Sequence, residues 1–284
     1  PGDNGGNNVY DVQVTATDNG ANPGTLSTVQ NIAVTVTGVN DASPVFTSAA
    51  AVSIEENTQA VVTLAATDAD VPGQTVSFAI TGGADAGLFQ IVGGNQLQFI
   101  AGPDFEAPAD NGGNNIYDVQ VTATDNGANP GTLSTVQNLA VTVTGVNDAS
   151  PVFTSASAVS IEENTQSVVT LAATDADDPA QTVSFAITGG ADAGLFQIVG
   201  GNQLQFIAGP DFEAPTDNGG NNIYDVQVTA TDNGMNPGTL STVQNIAVTV
   251  TGVNDEAPVF TSASAVSIEE NTQAVVTLAA TDAD

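Results

Sequence analysis

The chain repeats itself at the scale of a whole domain. Asn40-Asp41, Asn147-Asp148 and Asn254-Asp255 recur at a spacing of 107 residues, and residues 44–150 differ from 151–257 at only nine positions, among them Val71/Asp178, Gly73/Ala180, Ala128/Met235 and Ala149/Glu256. A period of this length is domain-sized and too long for one turn of a solenoid. Residues 1–37 match only the end of a repeat (108–144), and residues 258–284 match only its beginning (44–70). The chain therefore reads as a C-terminal part of a repeat (1–37), two complete repeats (44–144 and 151–251) and an N-terminal part (258–284). Pairing the two partial pieces head to tail would still leave out the equivalent of 71–107. The expectation is a window on a longer array, beginning at Pro1 inside a larger protein.

Within one repeat the apolar residues alternate with period two. Ala51–Glu55, Ala60–Ala66, Thr75–Ile80, Leu88–Val92, Gln96–Ile100, Ile116–Thr124 and Thr135–Thr144 are strand-like, with β-branched and aromatic enrichment and no helical period. Gly93-Gly94-Asn95 is a hairpin-type turn. Seven such strands in about 100 residues suggest an all-β fold: seven-stranded Greek-key, immunoglobulin-like antiparallel β-sandwiches in a linear array. Phe78, Phe89, Phe99 and Tyr117 are its expected core aromatics.

Composition removes most chemistry. The chain has no Lys, Arg, His, Cys or Trp and a formal net charge of −32. No imidazole is available for acid–base work, and no thiolate, amine or fixed cation for covalent or oxyanion catalysis. His/Cys zinc sites and disulfides are excluded. Nucleic acid and anionic membrane surfaces are disfavoured as partners, since both are bound through Lys and Arg. No apolar run is long enough to span a membrane. Uncompensated carboxylates repel one another in a compact state, so outside cations are expected, and Asp, Glu, Asn and backbone carbonyls are hard oxygen ligands of the kind calcium takes.

The acids are not scattered. They recur in the turns and linkers, as Glu55-Glu56-Asn57, Asp68-Ala69-Asp70, Asp104-Phe105-Glu106, Asp125-Asn126-Gly127 and Asn147-Asp148. In a seven-strand sandwich alternate turns share an end, so these sets gather at the two poles of each domain. Such gathering is unfavourable without a bridging cation. The Asp110–Asn115 loop (DNGGNN) has calcium-loop composition but lacks a terminal bidentate Glu, and it reads as an ordinary Asn/Gly turn. Asp85 and Asp192 also read as turn residues. Paired carboxylates such as Asp104 and Glu106 could serve a glycosidase, but the same pair recurs in each repeat with no stacking Trp, so no enzyme is expected.

The order E-N, ATDAD, DFE, ATDNG and VNDxxPVF resembles that of cadherin repeats, and especially the bacterial cadherin-like domains of large extracellular adhesins and surface fibres. The likeness covers both complete repeats and both partial ones. It implies a calcium cluster between consecutive domains, with Glu, D-x-E and Asn-Asp supplied from upstream and D-x-D and A-x-D from downstream. The first junction would hold Asn40, Asp41, Asp68, Asp70 and Asp125. The second would hold Glu56, Asp104, Glu106, Asn147, Asp148, Asp175, Asp177 and Asp232. The third would hold Glu163, Asp211, Glu213, Asn254, Asp255, Asp282 and Asp284. Animal cadherin linkers usually read D-x-N-D, and here the first aspartate is Gly38, Gly145 and Gly252. With that carboxylate missing, about two Ca2+ ions per junction are expected, within a range of one to three, at the weak affinities of extracellular modules.

The functional expectation is a calcium-rigidified stalk or fibre segment of a secreted bacterial surface adhesin, located at the cell surface. Its partners are the neighbouring repeats of the same chain and other copies in a fibre. The alternatives are an adhesive module binding its own kind or a glycan, and a subunit of a laterally packed filament.

Overall fold

Alternating apolar residues build the longest strands of each repeat and set their inward faces. In the computed structural model, which describes residue 3 and residues 5–284, the chain divides into two units, residues 1–144 and 145–284. Pro1, Gly2 and Asn4, all in the expected partial repeat 1–37, lie outside the described residues. The first unit carries β1 (Val9–Thr17), β2 (Ser27–Thr35), β3 (Val45–Phe46), β4 (Ala51–Glu55), β5 (Ala60–Thr63), β6 (Ala66–Thr67), β7 (Ser77–Gly82), β8 (Phe89–Val92), β9 (Gln96–Phe99), β10 (Ile116–Thr124) and β11 (Ser134–Thr144). The second carries β12 (Val152–Phe153), β13 (Ala158–Glu162), β14 (Ser167–Thr170), β15 (Ala173–Thr174), β16 (Ser184–Gly189), β17 (Phe196–Val199), β18 (Gln203–Phe206), β19 (Ile223–Thr231), β20 (Ser241–Thr251), β21 (Val259–Phe260) and β22 (Ala280–Thr281).

In the first sandwich one sheet has the order β4-β11-β10-β7 and the other β5-β9-β8, with β3 and β6 paired beside them. The second sandwich repeats this as β13-β20-β19-β16, β14-β18-β17 and β12-β15. Both sheets feed one core: Leu64, Phe89, Leu97 and Phe99 meet Tyr117, Val119, Val121, Leu139, Val141 and Val143. Along β10 every second residue from Tyr117 is buried, as the sequence period requires. The Phe99 and Tyr117 rings meet edge-on with centroids 5.0 Å apart, and the Tyr117 hydroxyl accepts from the Ala109 amide at 3.3 Å. A buried Tyr thus places its one polar atom against the backbone. The β8–β9 hairpin turns through Gly93 and Gly94 at φ 61° and 86°, conformations that favour glycine.

Two expectations are corrected. The sandwich is not purely antiparallel, because β4 runs parallel to β11 with Ala51 opposite Ala140. Alternation decides which face a residue shows but not the direction of the neighbouring strand. The expected single strand Ala60–Ala66 is broken into β5, which pairs with β9, and β6, which pairs with Val45–Phe46. The short strand β3 had no periodic signal of its own. The break falls at Leu64 and Ala65, where Leu64 enters the core at 1% exposure and its amide bonds to Asn95 O at 2.7 Å.

The partial repeats show how far strands depend on partners. β1 and β2 form a hairpin, yet Val12 and Val14 are 47% and 46% exposed, whereas the equivalent Val119 and Val121 are 1% and 0%. Among residues 258–284 only β21 and β22 pair.

Truncating Leu204, which is fully buried, to alanine is expected to destabilise the second sandwich by about 2–5 kcal/mol. Urea unfolding followed by intrinsic tyrosine fluorescence should then resolve two transitions, with the one from the intact first sandwich at its original midpoint.

Candidate metal centre

The acidic positions fall on loops flanking the strands, and each half-site is anchored by backbone amides. In the first unit Asn40 is 4% exposed. Its Nδ2 donates to Asp125 Oδ1 and Oδ2 at 3.2 and 3.3 Å and to Gly131 O, while its own amide bonds Asn129 O at 2.6 Å. Asp125 also accepts from the Gly127 and Leu133 amides at 3.0 Å. Asp70 Oδ2 accepts from the Ala42 amide at 3.2 Å, and the Asp70 amide bonds Asp68 Oδ1 at 2.9 Å. Asn40, Asp68, Asp70 and Asp125 are therefore brought together, while Asp41 lies exposed.

The same construction recurs in the second unit. Asn147 donates to Asp232 Oδ1 at 3.3 Å and to Gly238 O, and Asp177 Oδ1 accepts from the Asp148 and Ala149 amides at 3.3 and 3.1 Å. The Asp177 amide donates to Asp175 Oδ1 at 3.1 Å. Of the other residues expected at the second junction, Glu56, Asp104 and Glu106 belong to the first unit. There Glu56, 3% exposed, accepts from the Phe105 amide at 2.8 Å, and Asp104 accepts from the Ala107 amide at 3.0 Å. Glu106 is exposed.

The third set lies wholly within the second unit. Glu163 is 4% exposed, and its carboxylate is fixed by the Phe212 amide at 2.8 Å and the Val253 amide at 2.7 Å. Carboxylate oxygens of Glu163, Glu213 and Asp255 all lie within 4.8 Å of one another. Asn164 Nδ2 donates to Asp255 Oδ2 at 2.7 Å. The amides of Asp255 and Glu256 reach Asp284 Oδ1 at 3.4 Å, Asp282 Oδ1 accepts from the Asp284 amide at 3.4 Å, and Asp211 accepts from the Ala214 amide at 2.8 Å. Asn254 is not brought in. It is exposed, whereas Asn40 and Asn147 are buried and bond Asp125 and Asp232, each 85 residues further on; no residue is described at that offset from Asn254.

Two observations fit calcium to these residues. Oxygens sharing one calcium lie 2.3–2.6 Å from it and so at most about 5 Å from each other, which is the spacing of the Glu163, Glu213 and Asp255 group. Among the described residues Asp68 Oδ2 and Asp175 Oδ2 are buried without a hydrogen-bond partner, an arrangement that a cation at those oxygens would satisfy. The Glu213 carboxyl is raised above its ordinary value by loss of water. A bond from its own backbone amide opposes this, and the charges of Glu163, Asp284 and Asp211 add to it.

Sequence reasoning missed the residues that seat the ligands. A Cβ on Gly127 would lie 2.2 Å from Asn40 Cγ, so the glycine of D-N-G leaves room for the linker asparagine. At Gly38, where the animal linker has aspartate, a Cβ would lie 2.3 Å from Val71 O. Gln74 and Gln181 bond into the half-sites at 2.7–3.3 Å. No local pattern signals these contacts, which join segments far apart in sequence. The Asp110 loop is an amide-filled turn. Its carboxylate accepts from Gly112, Asn114 and Asn115 at 2.9, 3.1 and 3.0 Å, and Asp85 is likewise capped by the Asn111 and Asp118 amides at 2.7 Å.

These contacts set opposite pH dependences. Burial disfavours ionised Asp110, Asp125 and Asp217, but their amide bonds outweigh it, with Asn40 adding a bond to Asp125, and hold all three below 3.8. Their stabilisation is complete above that value and is lost as pH falls through the lower folded values. Glu213, raised above 4.5, contributes stability that is complete below 4.5 and is lost as pH rises through its folded value. Calorimetry of chelator-treated protein across about pH 3–7 should show loss of stability toward both ends, and Glu213→Gln should reduce the loss on the neutral side only.

Residues 157–251 match the Cadherin domain family. The chain is 35% identical over 269 residues to Cadherin-23 of Rattus norvegicus, with 88% of this chain aligned and only 8% of that protein's length spanned. Among solved structures, Protocadherin Gamma B2 extracellular cadherin domains 1–5 align over 98% of this chain and 52% of theirs, with TM-score 0.65 and 23% identity. The Protocadherin gammaB7 EC3-6 cis-dimer structure aligns over 85% of this chain and 60% of its own, with TM-score 0.57 and 22% identity. Both structures share the fold. These relatives are animal cadherins, a family of adhesion proteins rather than enzymes whose domains characteristically bind calcium. Among the described residues no helix is long and apolar enough to cross a membrane. Fold, acidic motifs and family match agree: the chain is made of cadherin-type extracellular repeats.

Proposed function

We propose that this chain is a calcium-rigidified segment of the repetitive stalk or fibre of a secreted surface adhesin, with the ions held where one repeat meets the next. The observation that carries this reading is the Glu163, Glu213 and Asp255 group. Glu163 follows β13, Glu213 precedes β19, and Asp255 lies in the linker after β20. An ion bound by all three ties the linker to the body of the sandwich, and Asp284, bonded to the Asp255 amide, joins the following segment to it. The same residue types stand at Glu56, Glu106 and Asp148. Boundaries at 1–37, 44–144, 151–251 and 258–284 put Asp148 and Asp255 in the linkers that follow the two complete repeats.

The chain's own residues do most of the work. Backbone amides orient Glu163, Asp177 and Asp232, so these carboxylates are presented rather than searching. Calcium, when bound, supplies the positive charge that the sequence lacks. The bacterial source and the spacer role rest on the residues alone: near-identity of the repeats suits a spacer better than a recognition surface, and the glycine in the linker departs from the animal pattern. Lateral association with further copies is the second mode of assembly consistent with a fibre.

Calcium at a hundredfold excess over Kd is expected to stabilise the folded chain by about 2.7 kcal/mol per site. Thermal unfolding with chelator and with millimolar calcium should show the gain, and Glu163→Gln with Asp255→Asn should abolish most of it at that site. Small-angle scattering on residues 44–257 should show a larger maximum dimension in calcium, lost in Asp148→Ala with Asp175→Ala. Identical melting and scattering in chelator and calcium would reject the reading.

A further inference from the structure

Gln74 and Gln181 occupy equivalent places beside the Asp-x-Asp carboxylates. Gln74 Nε2 donates to Asn40 Oδ1 at 2.7 Å and to Asp70 Oδ2 at 3.3 Å. Gln181 Nε2 donates to Asn147 Oδ1 at 2.7 Å and to Asp177 Oδ2 at 3.0 Å. The other end of each amide is treated differently. Gln74 Oε1 and Gln181 Oε1 are buried with no hydrogen-bond partner among the described residues, as are Asp68 Oδ2 and Asp175 Oδ2 nearby in sequence. Both sandwiches show the same asymmetry.

The chemistry of the pocket explains it. Asn40 Oδ1 and Asp70 Oδ2 are acceptors, and the chain has no Lys, Arg or His, so the side-chain amide N–H is the donor that holds them together. A cation bound by those two oxygens competes with the N–H for their lone pairs. Half a turn about the last side-chain bond exchanges Nε2 for Oε1, and a side-chain carbonyl is an ordinary calcium ligand. With the amide nitrogen toward the acceptors, Oε1 is stranded. With a cation among them, the reversed amide satisfies both the ion and its own oxygen.

We propose that Gln74 and Gln181 are exchangeable ligands of the Asn40, Asp68, Asp70, Asp125 site and of its counterpart at Asn147, Asp175, Asp177, Asp232. The amide N–H clamps the linker asparagine to the Asp-x-Asp carboxylate, and the amide carbonyl takes a place on the ion when calcium binds. This rests on the calcium reading above and adds to it a neutral ligand that its motifs do not contain.

The test is calcium titration of the full chain by calorimetry, with the Gln74 and Gln181 side-chain amide signals followed by nuclear magnetic resonance. Replacing both glutamines by methionine, which keeps length and removes the oxygen, is expected to weaken binding at these sites about tenfold, or about 1.4 kcal/mol. Replacing both by glutamate is expected to tighten it. In the unaltered chain both side-chain amide signals should move with calcium. If calcium binds but the methionine variant binds it equally well or better, the glutamines are not ligands and the calcium reading stands. If the unaltered chain takes up no calcium, both fail. Should the methionine variant not fold, amide signals that stay fixed while calcium binds overturn the proposal by themselves.

Discussion

Thirty-two carboxylates share this chain with no basic side chain at all, and the structure is arranged around that imbalance. Without internal counter-ions a carboxylate taken out of water can be satisfied only by amide N–H groups, by neutral side chains or by an outside cation. Backbone amides serve first. Asp85, Asp110 and Asp125 each gather two or more, and Glu56 and Glu163 each hold at least one from the D-x-E segment. These groups are buried, yet they need no ion pair. Glu163, although held by amides, also faces Glu213 and Asp255, and it is on that group that the calcium reading rests.

The strands keep out of this problem. Between residues 44 and 150 only Glu55 and Asp118 among the acids lie within a strand. The core of Leu64, Leu97, Phe99, Tyr117 and the β10–β11 valines is thus held by apolar burial with no charged side chain in it. Most of the charge lies in loops, where backbone amides are free to bind it because no ladder uses them. Folding of each sandwich and cation binding at its ends can therefore be separate events.

The segment Ala-Val-Ser-Ile-Glu occurs at 51–55, 158–162 and 265–269. It is a strand in the first two places and not in the third. Propensity and alternation are the same in all three, so local preference is not what makes the strand. At 51–55 it pairs with β11 and at 158–162 with β20, whereas among the described residues 265–269 pairs with no strand. The β1–β2 hairpin makes the complementary point: its partners are adjacent, so it forms, but its valines stay exposed because no opposing sheet covers them.

The sequence by itself determined the repeat, the strand-rich class, the core aromatics, the exclusion of enzymes and the clustering of acids, because each is written in local order and composition. Asn40, Asp70 and Asp125 could be named as one site only through the resemblance. Tertiary structure decided the rest. It made β4 a parallel neighbour of β11, split Ala60–Ala66 between two pairings, left Asn254 outside the cluster that holds Asn40 and Asn147, and brought Gln74, Gly127 and Asn40 together. The physical reason is range. Alternation and turn chemistry act over a few residues, whereas a ligand pocket is closed by side chains from distant loops, whose positions follow from the pairing of strands.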